Sequence, residues 1–94
     1  MIKSFKDESA YNIYNGIRSL KFSGDMQNVC RRKLRMVDNA CRLSDLKIPP
    51  GNRLEALKGK LKDYYSIRIN DQWRLIFKWL QGDAYDLEIV DYHG

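Results

Sequence analysis

Two cysteines, one histidine, two prolines and no long apolar run are the shortages that first constrain this 94-residue chain. Cys30 and Cys41 fall on what reads as one helix, which separates their Cα atoms by about 16 Å along its axis. A disulfide needs them within about 7 Å, so they do not bridge each other, and two unpaired thiols fit a reducing compartment. The single histidine, His93, has only Asp91 beside it as a second metal ligand, and two ligands are too few. No metal and no organic cofactor is therefore expected. Gly-rich phosphate loops and nucleophile elbows are absent as well. No window approaches the roughly 18 apolar residues of a spanning helix, and Met1-Ile2-Lys3-Ser4-Phe5-Lys6 lacks the apolar run of a secretory leader. A cytoplasmic location with no membrane association is the expectation.

What is present is an ordinary globular balance with a basic excess. Seventeen Lys and Arg against twelve Asp and Glu give a net charge of +5, which favours an anionic partner without naming one. The length fits one domain over residues 1–94. Ile2 to Lys6 alternates like a short strand. Asp7 caps a helix over Glu8 to Asn15 that Gly16 stops. Ser23 or Asp25 starts a second helix, whose stripe of Met26, Cys30, Leu34, Val37 and Cys41 recurs at helical spacing. Its other faces carry Arg31, Arg32, Lys33, Arg35 and Arg42, either a solvated surface or a dock for an acidic partner or phosphate backbone. Pro49-Pro50-Gly51-Asn52 is a break past which nothing helical should continue.

Strand-like runs follow at Leu54 to Lys58, Tyr64 to Ile69, Trp73 to Leu80 and Ala84 to Tyr92. Asn70-Asp71-Gln72 and Gln81-Gly82-Asp83 are of hairpin length, so the last three runs form an antiparallel meander. The fold class is α+β, with two N-terminal helices packed on a mostly antiparallel sheet. Three-residue loops would oppose Ile69 to Trp73, Ile67 to Leu75 and Tyr65 to Phe77 on the helix side. The other side would then pair Arg68 with Arg74, Tyr64 with Lys78, and Lys78 with Asp86 as a cross-strand salt bridge. Like charges directly opposed are destabilising, so Arg68 against Arg74 calls for an anion between them or a different register.

That basic face, with Tyr64, Arg53 and Lys58 beside it, suits single-stranded RNA, although it would equally grip an acidic polypeptide. Metal-free RNA cleavage needs activation of a 2′-hydroxyl, cations for the phosphorane and an acid for the departing 5′-oxygen. Lys58, Arg68 and Arg74 are the candidate cations, and His93 with Tyr92 or Asp91 supplies proton transfer. Strand alternation puts Tyr92 on the basic face and His93 on the other. His93 joins Arg74 only if the chain turns after Val90.

Several separated motifs occur in one order: Pro49-Pro50-Gly51-Asn52-Arg53-Leu54-Glu55-Ala56-Leu57-Lys58-Gly59, then Tyr65-Ser66-Ile67-Arg68-Ile69-Asn70-Asp71-Gln72-Trp73-Arg74-Leu75, then Asp91-Tyr92-His93. Together with the opening Met1 to Lys6, they closely resemble HigB-type toxins of the RelE superfamily over essentially the whole chain. The resemblance implies the toxin of a type II toxin–antitoxin pair, a ribosome-dependent endoribonuclease that cuts mRNA in the A site by metal-independent 2′-hydroxyl attack and so inhibits translation. It implies a helix-turn-helix, HigA-like antitoxin, the 70S ribosome and mRNA as partners, with operator DNA reached only through the antitoxin complex. It carries catalytic roles onto Lys58, Arg74, Asp91, Tyr92 and His93; the RNA-binding candidates Arg53, Lys60, Tyr64 and Arg68 rest instead on charge and on the register of the basic face. The chain departs from the family at Lys60-Leu61, where members often carry Asp-Arg, gaining positive charge and losing an arginine expected to meet the ribosome. The alternative is a non-catalytic corepressor acting only with its antitoxin.

Overall fold

A computed structural model describes residues 1–92, with the backbone alone at Leu61. Helix α1 spans Glu8–Tyr14 and helix α2 Gly24–Asn39. Four strands follow, β1 Glu55–Ala56, β2 Tyr64–Arg68, β3 Trp73–Leu80 and β4 Asp83–Asp91, in one antiparallel sheet of order β1-β2-β3-β4. The arrangement is the expected α+β one. Single 3₁₀ turns occupy Leu43–Lys47, Pro50–Asn52 and Gly59–Leu61. The turn at Pro50–Asn52 corrects the expectation that nothing helical survives the prolines, because a proline in the first position of a turn has no N–H to satisfy. No described helix is long and apolar enough to cross a membrane.

Both helices begin where side-chain oxygens capture free backbone donors. An oxygen of Asp7 accepts from the Ala10 N–H at 2.6 Å, while its other oxygen accepts from the Ile89 N–H at 2.9 Å and so ties α1 to β4. Ser23 Oγ accepts from the Met26 N–H at 3.1 Å. Met26, Cys30, Leu34 and Val37 are buried against the sheet face that carries Ile67, Leu75, Phe77, Leu87 and Ile89. Cys41 does not continue this stripe. Asp45 takes the N–H groups of Cys41 and Arg42 at 3.0 and 3.1 Å, which draws the chain out of α2 at Ala40 and leaves Cys41 exposed.

The β2/β3 register is the expected one, from Tyr64 opposite Lys78 to Arg68 opposite Arg74. Between β3 and β4 the expected register holds from Trp73 opposite Asp91 to Ile76 opposite Glu88, then slips by one residue. Two local features produce the slip. The loop contains Gln81 and Gly82 alone, both at positive φ (49° and 83°) as a type I′ turn demands, so Leu80 faces Asp83. Asp86, at φ 57°, supplies the extra residue of a bulge. The Lys78 to Asp86 salt bridge therefore does not form, and Lys78 faces Tyr85 instead. Asp86 accepts from the hydroxyls of Tyr64 and Ser4, each at 3.2 Å. The same bulge limits the expected strand over Ile2 to Lys6 to two isolated parallel bridges, Ile2 with Ala84 and Phe5 with Leu87. Between them, Ser4 Oγ accepts the Asp86 N–H that the ladder leaves free.

Candidate functional site

The polar side of the sheet is organised by Arg74. It sits on β3 with only 6% of its surface exposed, so its permanent charge must be matched by oxygen acceptors. Its Nε–H donates to Ser66 Oγ at 3.0 Å, and Nη2 donates to the carbonyls of Ser66, at 3.4 Å, and of Arg53. Arg53 presents that carbonyl from a left-handed conformation (φ 47°) at the end of the Pro50–Asn52 turn. The Tyr92 ring centroid lies 5.1 Å from the Arg74 guanidinium carbon, a cation–π contact on one face of the fork.

Arg68, directly opposite, solves its own charge problem differently. It forms an ion pair with Asp71 in the β2–β3 loop. Asn70 shapes that loop, its Oδ1 accepting from the N–H groups of Gln72 and Trp73 at 2.9 and 2.8 Å. The sequence offered two remedies for the opposed arginines, an anion or another register. The structure keeps the register and supplies a carboxylate to one arginine and neutral oxygens to the other.

Arg53, Arg68, Asn70, Asp71, Arg74 and Tyr92 together line an open cavity of about 280 Å³. Three guanidinium groups face one carboxylate there, leaving two uncompensated positive charges. Arg68 also acts at a distance: after burial and Arg32, it is a cause holding the Lys33 ammonium below its ordinary pKa. A larger hollow of about 410 Å³ lies at the start of α2, beside Arg18, Asn28 and Arg31. Arg31 belongs to the basic faces of α2, but no residue nominated for RNA cleavage lines this hollow.

Of the nominated residues, Arg53, Arg68, Arg74 and Tyr92 thus come together. Lys58 and Lys60 are exposed at the turn over Gly59–Leu61 and do not line the cavity. Tyr64 is half-buried, its phenol held above the ordinary pKa by burial and then by the Asp86 carboxylate that accepts its hydrogen bond. Asp91 pairs with Trp73, on the helix side of the sheet by alternation, and accepts from Gln72 Nε2 at 3.2 Å. The turn after Val90 on which a meeting of His93 with Arg74 depended does not occur among the described residues: β4 continues through Asp91, and the Tyr92 N–H donates to the Gln72 carbonyl at 2.6 Å. Pairing with β3 up to that point keeps the end of β4 straight. His93 lies outside the described residues.

Sequence reasoning missed Asn70 and Asp71 in the lining and Ser66 behind it. Asp71 could have been found from its spacing of three from Arg68 across a tight loop. Ser66 gave no signal of its own. Its role comes from Arg74 folding back over the neighbouring strand, two residues along from its direct partner.

A model of the HigB-like toxins, described as the RelE-like toxin of the type II toxin–antitoxin system HigB, matches residues 3–93. Toxin HigB-1 of Vibrio cholerae is 45% identical, over 89% of this chain and 90% of its own. Endoribonuclease HigB of Proteus vulgaris is 35% identical, over 99% of this chain and 100% of its own. Among solved structures, YafQ from E. coli superposes with a TM-score of 0.64 at 13% identity, over 98% of this chain and 92% of its own. The toxin–antitoxin heterotetramer YoeB–YefM from Staphylococcus aureus contributes a chain with a TM-score of 0.63 at 20% identity, over 100% and 99%. The two structures share the fold, the two sequences share the family, and the chain belongs to the HigB-like, RelE-like toxins of type II toxin–antitoxin systems.

Proposed function

We propose that this toxin is a ribosome-dependent endoribonuclease, acting as one domain over residues 1–94, that cuts mRNA in the A site without a metal. The observation that carries the reading is the convergence of Arg53, Arg68, Arg74 and Tyr92 on one open cavity at the end of β4. A relative that covers the whole chain bears the name endoribonuclease. In the proposed reaction the 2′-hydroxyl loses its proton and its oxygen attacks the adjacent phosphorus. The bond to the 5′-oxygen breaks, that oxygen receives a proton, and a 2′,3′-cyclic phosphate remains.

Arg74 stabilises the charge that grows on the phosphorane, where fixed donors in a sheltered site act most strongly. Arg53 and Arg68 hold flanking phosphates. Tyr92 keeps the guanidinium plane in place and offers its ring to a base. His93, next in sequence, handles proton transfer, with Asp91 beside it, a role that requires the chain to turn beyond Tyr92 and not after Val90. Lys58 and Lys60, exposed on the preceding turn, meet RNA outside the cavity, and Tyr64 is a peripheral contact. The partners are the 70S ribosome with its mRNA and a HigA-like helix-turn-helix antitoxin, with operator DNA engaged only through the antitoxin complex, all in the cytoplasm.

Primer extension on cellular mRNA after brief expression tests this. Cuts within in-frame codons of translated messages are expected, and their loss when translation is blocked. Growth arrest or operon repression without any cut would overturn the reading in favour of a non-catalytic corepressor.

A further inference from the structure

We propose that Ser66 is a positioning residue for Arg74, and that the buried cradle it forms with the Arg53 carbonyl leaves Nη1 as the edge that meets an anionic oxygen. The functional half of this inference rests on the proposed cleavage reaction. The geometric half does not.

A guanidinium has five N–H groups. In Arg74 the Nε–H goes to Ser66 Oγ and Nη2 spends both of its hydrogens on the Ser66 and Arg53 carbonyls. The two on Nη1 have no protein acceptor among the described residues. Three in-plane bonds fix the direction of the fork, and Tyr92 against its face fixes the tilt. The cation is thus oriented before substrate arrives, so the transition state need not be reached by a side chain that must first find its rotamer.

Ser66 is fitted to this task. It is fully buried, with 0% exposure, two residues along β2 from Arg68, on the polar side of the sheet. A long side chain would occupy the space that the Arg74 side chain crosses, whereas the one extra methyl of threonine keeps the hydroxyl in reach; alanine would leave the Nε–H without its acceptor between two buried residues. Asn52 supports the other arm. It is also fully buried, and its amide donates to the Leu46 carbonyl at 3.2 Å and the Ile48 carbonyl at 3.4 Å, anchoring the turn from which Arg53 offers its carbonyl.

The test joins nuclear magnetic resonance of arginine Nε–H groups to single-turnover cleavage on ribosomes programmed with mRNA. In the parent, the Arg74 Nε–H should exchange with solvent at least about tenfold more slowly than those of Arg53 and Arg68. Equal exchange overturns the proposal without need of any variant. Ser66→Ala should abolish that protection and lower the saturated cleavage rate about tenfold, with half-saturation within about twofold of the parent. Ser66→Thr, which keeps the hydroxyl, should restore protection and most of the rate. In an Arg74→Lys background, Ser66→Ala should cost nothing further, whereas a second full loss would reveal a merely structural serine and overturn the proposal. Should the parent protein cut no mRNA, the cleavage reading falls, and the exchange data still decide whether Ser66 positions Arg74.

Discussion

Asn52→Ala is the substitution in which stability and function are most closely joined. Asn52 has no exposed surface. Its Oδ1 accepts from Lys33 Nζ, and its Nδ2 donates to the carbonyls of Leu46 and Ile48. Alanine would leave the Leu46 carbonyl buried without a donor, at about 1–3 kcal/mol. Ile48 is largely exposed and Lys33 only partly buried, so water replaces much of what those two partners lose. A small void adds to the loss, for a total of about 2–3 kcal/mol, or a Tm about 10–20 °C lower in a domain of this size. Urea melts followed by tryptophan fluorescence measure it, because half-buried Trp73 packs against the core with its ring 5.0 Å from that of Phe22. Asn52→Asp separates the two arms, since it retains an acceptor for Lys33 and deletes both amide hydrogens. It should lose at least as much as alanine. A loss below about 0.5 kcal/mol for alanine, or parent stability for aspartate, would refute the assignment of the amide as the anchor of this turn.

Other expectations concern charge and the thiols. Asp71, whose side chain is 97% exposed, offsets Arg68 at the cavity rim, so Asp71→Asn should tighten binding of a short single-stranded RNA about threefold at low salt and little at high salt, read by fluorescence anisotropy. Cys30 is buried, its thiol pushed up to about 12 by desolvation, and Cys41 is exposed; a thiol reagent at pH 8 should therefore label one cysteine in the folded protein and two in denaturant. The Asp38 carboxyl is held below its usual range first by the Ile2 N–H, at 2.8 Å, and also by the Tyr14 hydroxyl. A depressed folded pKa gives stability that is present above the unfolded value near 3.8 and lost as pH falls through the folded one. Asp38→Ala should thus lower Tm at pH 7, with the gap narrowing in melts below pH 3.

The elements that could be read from sequence are those whose pattern is repeated. Met26, Cys30, Leu34 and Val37 mark the same face of α2 four times, and Ser23 caps it. Alternation through Ile67, Leu75 and Ile89 fixes the sheet register, and with it the meeting of Arg68, Arg74 and Tyr92. Single-residue events are different in kind. The positive φ at Asp86 that makes the bulge, the two-residue turn at Gln81 and Gly82, and the capture of Cys41 by Asp45 each depend on one residue's backbone or one hydrogen bond. Such events leave periodicity unchanged, so the slip beside Asp86 and the early end of α2 could not be seen in it. Site residues divide in the same way: the arginines announced themselves by charge on one face, whereas Ser66 and Asn52 act only through neighbours brought in by folding.

Cleavage of mRNA on purified, programmed 70S ribosomes by the parent, Arg74→Ala and His93→Gln proteins bears on the cavity itself. The parent should cut within the A-site codon, and Arg74→Ala should do so about 100-fold more slowly, the loss typical of removing one donor to a developing oxyanion. His93→Gln should be inactive while melting like the parent. Cutting by Arg74→Ala at the parent's rate would contradict the assignment of this cavity as the site of chemistry.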